Sequence, residues 1–154
     1  MNIDLIRIHR SSYSVDSVLK IGGLKVCDAA ENAQTALPEG VYKIVIHKCK
    51  QYRRKMPVIL LQPEELSLSS SLSLSQACEN CEKLEYVSNN TNLPRYCPQI
   101  KIGNGVYNRT DGSIIIGERI TWGAIAHPVQ YFNRLIDRLD KAANRHEPIT
   151  LTIQ

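Results

Sequence analysis

The sequence has few large aromatic side chains: it contains one Phe and one Trp in 154 residues, beside seven Tyr. A core for a chain of this length must therefore come mainly from Ile, Leu and Val. No run of about eighteen apolar residues occurs, which excludes a transmembrane helix. The first ten residues alternate apolar with polar or charged side chains and lack the apolar stretch of a signal peptide. We therefore expect synthesis in the cytoplasm without a signal peptide and no membrane span, with association with a virion left open.

The five cysteines are an odd number, which argues against a complete set of internal disulfides. Cys27 and Cys49 fall in predicted strands, where cysteine behaves as a small buried hydrophobe. Cys78 and Cys81 form a Cys-x-x-Cys pair that is followed later by Cys97, a spacing that begins a zinc ribbon. The fourth ligand of such a site is missing at its expected position. We expect no metal and no cofactor, and a zinc-stabilised binding module on these three cysteines is an alternative.

The charge is mildly basic, at +4 with a pI near 8.8. Its densest part is His47–Lys55, which carries five Lys or Arg residues and a tyrosine. One interpretation is a phosphate-contacting patch with a stacking platform. The interpretation that we favour is a solvated strand end and loop, because Lys and Arg are mostly surface residues. Nucleic-acid binding is not expected, since no recognised nucleic-acid module accompanies the segment.

Short apolar alternations bounded by turn residues predict a mainly β fold. Gly22-Gly23 is the signal of a two-residue hairpin turn. The predicted strands are Ile3–His9, Ser17–Ile21, Leu24–Asp28, Val41–His47, Val58–Leu61, Ser113–Ile116 and Ile149–Ile153.

Helical periodicity predicts one C-terminal amphipathic helix from Pro128 to Ala143. Its apolar stripe is Val129, Phe132, Leu135, Ile136, Leu139 and Ala143. We expect this stripe to be buried together with Ile44, Ile46, Ile115 and Leu151. The predicted fold class is therefore α+β and mainly β: an antiparallel barrel- or sandwich-like sheet with the helix packed on it.

Residues 1–154 are expected to form a single domain, with residues 62–98 as an insertion within it. Inside the insertion, Leu66–Ser75 alternates leucine with serine, so an extended strand would place its leucines on one face. One interpretation is an edge strand that packs on the body or on another subunit. The other, which we favour, is a low-complexity loop, because serines without charge carry little order of their own.

The stretch Ile100–Gly117 has the pattern of a strand, a glycine-rich polar loop and a second strand. It resembles the central motif of a family of small bacterial and phage domains of unknown function, which reads Ile-His-x-Gly-Asn, a polar loop, then Gly-Cys and an aliphatic run. Gly103-Asn104 and the run from Gly112 to Gly117 carry the match, and Glu31-Asn32 and Leu37–Tyr42 fit as well. The resemblance implies a distant similarity to L,D-transpeptidases, which cross-link peptidoglycan.

The chain departs from this pattern, because Lys101 stands in place of the His and Ser113 in place of the Cys. A serine hydroxyl needs a nearby base, and Lys101 serves as one only if its pKa is strongly lowered. We expect instead that Ser113 opens a buried strand and that Lys101 is solvated. If the protein is an enzyme, Ser113, Lys101 and Asn104 are the catalytic candidates. The candidate binding residues are Lys101, Gly103, Asn104, Asp111, Gly112 and Ser113.

The resulting hypothesis is a non-catalytic accessory or structural domain of phage origin, with virion or other protein subunits, or a cell-wall peptide, as candidate partners. A peptidoglycan-modifying enzyme of transpeptidase or hydrolase type is the alternative of a different class. The two differ in geometry, because an enzyme needs a nucleophile within about 3 Å of a base beside a cleft.

Overall fold

The computed structural model describes residues 1–49, 52–60, 98–107 and 111–154. Leu66–Ser75 and the cysteines Cys78, Cys81 and Cys97 lie outside the described residues. The hypotheses of an edge strand or loop at Leu66–Ser75, and of zinc on the three cysteines, therefore stay predictions.

The described residues form nine strands and one α-helix. The strands are β1 (Asn2–Arg10), β2 (Ser14–Ile21), β3 (Leu24–Asn32), β4 (Gly40–Cys49), β5 (Arg54–Leu60), β6 (Ile100–Lys101), β7 (Ile114–Thr121), β8 (Ala124–Ala126) and β9 (Ile149–Ile153). Helix α1 spans Pro128–Asn144 and follows β8. None of the described helical residues forms a segment with the length and hydropathy that a bilayer crossing needs.

The sheet is nearly closed into a barrel. Its strands follow the order β5-β4-β9-β1-β2-β3-β7-β6. The pairs β1–β9 and β6–β7 are parallel and the other strand pairs are antiparallel. The two ends of the sheet meet where Val58 of β5 forms a bridge with Gln99, beside which the amide of Ile59 donates to the carbonyl of Pro98 at 2.9 Å. The prediction of a mainly antiparallel, barrel-like fold with one C-terminal helix is confirmed.

The hairpin between β2 and β3 turns at Gly22-Gly23 as predicted. Both glycines have positive φ, at 60° and 81°, which is the conformation that a tight hairpin turn demands. Strand β5 begins earlier than predicted and includes Pro57, which lies opposite Ile46 of β4. A proline is tolerated there because β5 ends the strand order and makes few ladder bonds on its other side.

The main core combines the apolar side chains of the strands with one face of α1. Phe132, Leu135, Leu139 and Ala142 are the helix residues at its centre, and Ile44 and Leu151 are buried with them. Four residues expected in this core are less buried than predicted. Val129, in the first turn of α1, is 53% exposed. Ile46, Ile136 and Ala143 are only partly buried, because they pack at the edge of the cluster.

Ile115 belongs to a second, smaller cluster, contrary to the expectation that it joins the main core. Its neighbours there are Ala30, Val106 and Ile125. Side chains alternate along a strand, so Ile115 points away from the face that carries Ile114 and Ile116. Strand β8 and the loop after β6 cover that opposite face, an arrangement that periodicity in the sequence did not reveal.

Gly117 has no side chain, which allows β8 to lie very close to β7. A Cβ atom at Gly117 would lie 2.4 Å from the carbonyl oxygen of Ala126 and 2.4 Å from Cγ2 of Ile125. No side chain fits in that space. The final glycine of the aliphatic run is therefore explained by packing of backbone against backbone.

Candidate functional site

The loop after β6, Ile102–Tyr107, is held against β8 and β3 through Asn104 and its neighbours. The amide of Ile125 donates to the carbonyl of Asn104 at 2.8 Å, and the side-chain Nδ2 of Asn104 donates back to the carbonyl of Ile125 at 3.1 Å. Asn32, at the end of β3, donates from Nδ2 to the carbonyl of Val106 at 3.1 Å. Gly103 is buried. The two hydrogen bonds between Asn104 and Ile125 thus fix the loop to β8.

Lys101 is buried and ion-paired, so the expectation of a solvated lysine is wrong. Only 8% of the residue is exposed, and Nζ donates to Oδ2 of Asp111 at short range. The ring of Tyr52 lies beneath the ammonium, with its centroid 5.3 Å from Nζ. Burial favours a lower pKa for Lys101, but hydrogen bonds to Asp111 and Tyr52 outweigh burial and raise the pKa above its usual value.

The carboxylate of Asp111 connects the lysine to Ser113. Its Oδ1 accepts the backbone N–H of Ser113 at 3.0 Å, and Gly112 between them has φ of 78°. Burial by itself would raise the pKa of Asp111, but the hydrogen bond from Lys101 and its positive charge lower the pKa below the ordinary value. Both partners of the pair are therefore charged at neutral pH.

Ser113 is 1% exposed, as expected for a residue that opens a buried strand. Its Oγ accepts the backbone N–H of Gln99 at 3.1 Å, in a buried position next to the closing bridge of the barrel. A nucleophile must reach a substrate and must lose its proton to a base. Here the hydroxyl is enclosed, and the nearby lysine is protonated and engaged with Asp111. Lys101, Asp111 and Ser113 are therefore brought together, in an arrangement suited to holding β6 against β7. Asn104 is bonded instead to Ile125 of β8.

Sequence reasoning missed a second polar cluster, centred on the fully buried carboxylate of Asp16. Oδ1 of Asp16 accepts the backbone N–H of Gly123 at 2.8 Å, and Oδ2 accepts the hydroxyl of Ser14 at 2.8 Å. Nδ1 of His9 lies 3.6 Å from Oδ2. Asp16 precedes the predicted strand Ser17–Ile21 but belongs to the longer strand β2 of the structure. Its burial depends on the β7–β8 hairpin, whose only sequence signal is the turn pair Trp122-Gly123.

Arg119 holds the same hairpin to the outside of the barrel. Its Nη2 donates to the carbonyl of Ser17 at 2.6 Å, and its backbone N–H donates to Oδ2 of Asp28 at 3.0 Å. Burial favours a higher pKa for Asp28, but hydrogen bonds from Lys25 and Arg119 lower the pKa overall. The cluster is thus a set of ion pairs and hydrogen bonds that docks a hairpin.

A third buried pair joins β1 and β3. Arg7 makes two hydrogen bonds to the carboxylate of Glu31, at 2.9 and 3.1 Å, and donates to the carbonyl of Leu37 at 2.6 Å. Burial raises the pKa of Glu31 in spite of the arginine. Glu31, noted in the sequence only for the family resemblance, links two strands to the segment that leads into β4.

Aromatic side chains gather where three loops meet. The rings of His9 and Trp122 stack with centroids 3.9 Å apart, and the rings of Tyr13 and Tyr107 stack at 5.5 Å. A Cβ at Gly123 would lie 3.1 Å from Cβ of Ser14 and 3.3 Å from Cγ2 of Val106. The three segments therefore meet at Gly123, and Tyr13, Tyr107 and Trp122, which follow or precede the contacting residues in the chain, are exposed.

Two residues of the basic segment His47–Lys55 contact helix α1. Arg54 donates to Oδ1 of Asn133 at 2.8 Å and Lys55 pairs with Asp140 at 2.8 Å, so both basic residues dock α1. Cys27 is a buried free thiol whose pKa burial raises to about 12. No group of three or more potential metal ligands occurs among the residues that the structure describes.

Comparison of the chain with family models, with curated proteins and with solved structures found no match in any of the three.

Proposed function

We propose that this chain is a non-catalytic accessory or structural domain of phage origin. The observation that carries the proposal is the state of Ser113 and Lys101. The serine hydroxyl is buried and accepts a backbone hydrogen bond, and the lysine is held in its charged form by Asp111. Both groups are occupied in fixing strands to one another.

The family resemblance is part of this proposal, and the way its residues converge supports it. Glu31-Asn32 ends β3 beside Ile114 of β7, and Asn32 holds the loop that contains Gly103-Asn104. These pieces are far apart in the sequence and meet around β8. Phage origin rests on the resemblance alone.

The electrostatics of the site also favour a structural role over peptidoglycan chemistry. A serine–lysine dyad needs a neutral lysine that can take the proton of the hydroxyl. Asp111 opposes this requirement, because its carboxylate stabilises the ammonium at short range. Generating the neutral lysine would leave a part-buried carboxylate without its partner.

The test uses the full chain and fluorophosphonate, β-lactam and maleimide probes, together with turnover of peptidoglycan fragments. Wild type and Ser113→Ala are expected to label identically and to release no product, because the hydroxyl is enclosed. The double variant Lys101→His, Ser113→Cys is the matched control for access to the site.

A thiol at Ser113 that reacts with maleimide in the folded double variant would mean that the position is accessible. Labelling of Ser113 in wild type, or turnover that Ser113→Ala abolishes, contradicts the non-catalytic proposal and favours the enzyme. Thermal melting of each variant checks that it is folded when it is probed.

A further inference from the structure

We infer that the dipeptide Asn104-Gly105 is a site of spontaneous deamidation, and that opening of the contact between its loop and β8 controls the reaction. Asn104 and Gly105 form the only Asn-Gly pair in the chain. An Asn followed by glycine loses its side-chain amide most readily, because glycine has no Cβ to hinder attack by its backbone nitrogen on the preceding carboxamide. The inference concerns a covalent modification and goes beyond the proposed accessory function.

The reaction needs only water. The backbone nitrogen of Gly105 gives up its proton to hydroxide ion and attacks Cγ of Asn104, which closes a ring through a new C–N bond. The bond from Cγ to Nδ2 then breaks, and the nitrogen leaves as ammonia with a proton taken from water. Water opens the ring at either of its two carbonyls by breaking one C–N bond. Aspartate or isoaspartate then replaces Asn104, and one water is consumed for each ammonia released.

Water can reach this pair in the folded protein. The Asn104 residue is exposed, and Gly105 is partly exposed. Neither residue lies in a helix or in one of the nine strands, although Gly105 forms an isolated bridge with Ala124. Burial therefore does not prevent hydrolysis, and any protection must come from the bonds that hold the loop.

The fold does not require glycine at position 105. The φ angle of Gly105 lies outside the left-handed region, and a Cβ there would meet only the carbonyl oxygen of Gly123, at 3.8 Å. At Gly117, by contrast, a Cβ would clash with β8. Alanine is therefore tolerated at position 105, so the reactivity of the pair can be changed without changing the fold.

In the closed structure Ile125 of β8 holds both the side chain and the carbonyl of Asn104. Nδ2 of Asn104 donates to the carbonyl of Ile125 at 3.1 Å, and the amide of Ile125 donates to the carbonyl of Asn104 at 2.8 Å. Ring closure turns the carboxamide towards the nitrogen of Gly105, which breaks the bond from Nδ2. The reaction therefore proceeds from a locally open state, and its rate follows the population of that state.

The product cannot restore this contact. An ionised carboxylate has no hydrogen to donate, so its oxygen would face the carbonyl oxygen of Ile125 as one acceptor against another. Isoaspartate also adds a carbon to the main chain between residues 104 and 105, which shifts the register at the Gly105–Ala124 bridge. Deamidation is therefore expected to leave the loop Ile102–Tyr107 detached from β8.

The experiment incubates the full chain at mildly alkaline pH, folded and unfolded in urea, and follows conversion of Asn104 by mass spectrometry with peptide mapping. Folded wild type is expected to react about tenfold or more slowly than the unfolded chain, because the open state is a minor one. Gly105→Ala is the matched control for the chemistry. It should keep its fold and should react at a small fraction of the wild-type rate when both are unfolded.

Gly117→Ala tests whether β8 controls the reaction, because its Cβ would push β8 away from β7. In the folded state its Asn104 should convert about fivefold or more faster than in wild type, as a destabilisation of about 1 kcal/mol or more implies. Val129→Ala, at an exposed position of α1, should convert at the wild-type rate. Circular dichroism checks the fold of each variant. If Gly117→Ala does not fold, Ile125→Ala replaces it, because Ile125 packs on Val106 of the loop.

The purified product provides a second measurement. In the deamidated protein the amide of Ile125 should exchange its hydrogen faster than in unmodified protein, because the acceptor on residue 104 is displaced. Equal exchange would contradict detachment of the loop.

Other results would overturn the inference. No conversion of Asn104 in the unfolded chain, or an unchanged rate in unfolded Gly105→Ala, would refute the site. Equal rates in folded and unfolded wild type, or no acceleration in the folded β8 variant, would refute control by the β8 contact. None of these results bears on labelling of Ser113, so failure here is separable from failure of the proposed function.

Discussion

Replacing Gly117 with alanine tests whether the β7–β8 hairpin folds over the barrel in the way described. The new Cβ would lie 2.4 Å from a backbone oxygen and from Cγ2 of Ile125, whereas ordinary contacts begin near 3.4 Å. Strand β8 must therefore move away by about 1 Å or β7 must bend. The clash cannot be relieved by a side-chain rotation alone, because one of the two atoms belongs to the backbone of Ala126.

The expected change in the free energy of unfolding combines two opposing effects. Overpacking of a well-packed site costs about 1–3 kcal/mol. Replacing a glycine with alanine lowers the conformational entropy of the unfolded chain, which stabilises the folded state by about 0.4–1 kcal/mol. We expect Gly117→Ala to lower the free energy of unfolding by about 1–2 kcal/mol. Gly105→Ala is the matched control, because its Cβ would meet only the Gly123 carbonyl oxygen, at 3.8 Å. That variant should match or slightly exceed wild-type stability.

Urea denaturation, followed by circular dichroism and by tryptophan fluorescence, measures both effects. Trp122 is the only Trp in the chain and lies at the tip of the affected hairpin, stacked on His9. In the folded Gly117→Ala variant its emission should shift towards that of a more exposed indole. A variant that unfolds at the wild-type urea concentration with unchanged emission would refute the close crossing of β7 and β8.

Three further predictions concern the core, the ion pair and the thiol. Leu135→Ala should cost about 2–5 kcal/mol of unfolding free energy, because the side chain is fully buried, whereas Val129→Ala should change stability by less than about 0.5 kcal/mol; equal effects in urea titrations would contradict the core assignment. Asp111 has a lowered pKa in the folded state, so its pairing with Lys101 contributes stability that is fully present above its unfolded pKa of about 3.9 and is lost as the pH falls through the lower folded value. Asp111→Asn should therefore flatten the acid limb of a stability–pH curve, and an unchanged limb would count against the pair. Cys27 has a pKa of about 12 and should therefore resist iodoacetamide at neutral pH until the protein unfolds. Modification of Cys27 itself in the native protein, located by peptide mapping, would show that its thiol is accessible.

Local patterns were sufficient to predict much of the fold. The hairpin at Gly22-Gly23 and the helix from Pro128 follow from turn chemistry and helical periodicity, both of which depend on neighbouring residues. The final strand Ile149–Ile153 is confirmed with its bounds unchanged. The predicted fold class left a barrel and a sandwich open, and the bridge between Val58 and Gln99 that brings the sheet close to a barrel depends on residues far apart in sequence.

The residues of the candidate site could be predicted from the sequence, but the burial and charge of Lys101 could not. Lys101, Asp111 and Ser113 were selected together because they flank one glycine-rich loop. That Lys101 is buried and charged depends on Tyr52, which comes from a distant turn, and on the geometry of the pair. The Asp16 cluster could not be foreseen, because the hairpin that covers it is folded back from the far end of β7. When a distant segment of the chain covers one face of a strand, the alternation of apolar and polar residues within that strand gives little indication of it.

The position of β9 in the sheet has a consequence for how the chain folds. Strand β9 lies between β1 and β4, so it joins the β1–β2–β3 meander to the β4–β5 hairpin. The parallel pairing of β9 with β1 places Leu151 opposite Ile3, so it joins residues from distant parts of the sequence. Local hairpins can form early in folding, but the edge of β1 that carries Ile3 and Leu5 stays unpaired until β9 docks. Closing the barrel is therefore a folding step of high contact order, and until it occurs the open edge of β1 is exposed to mispairing.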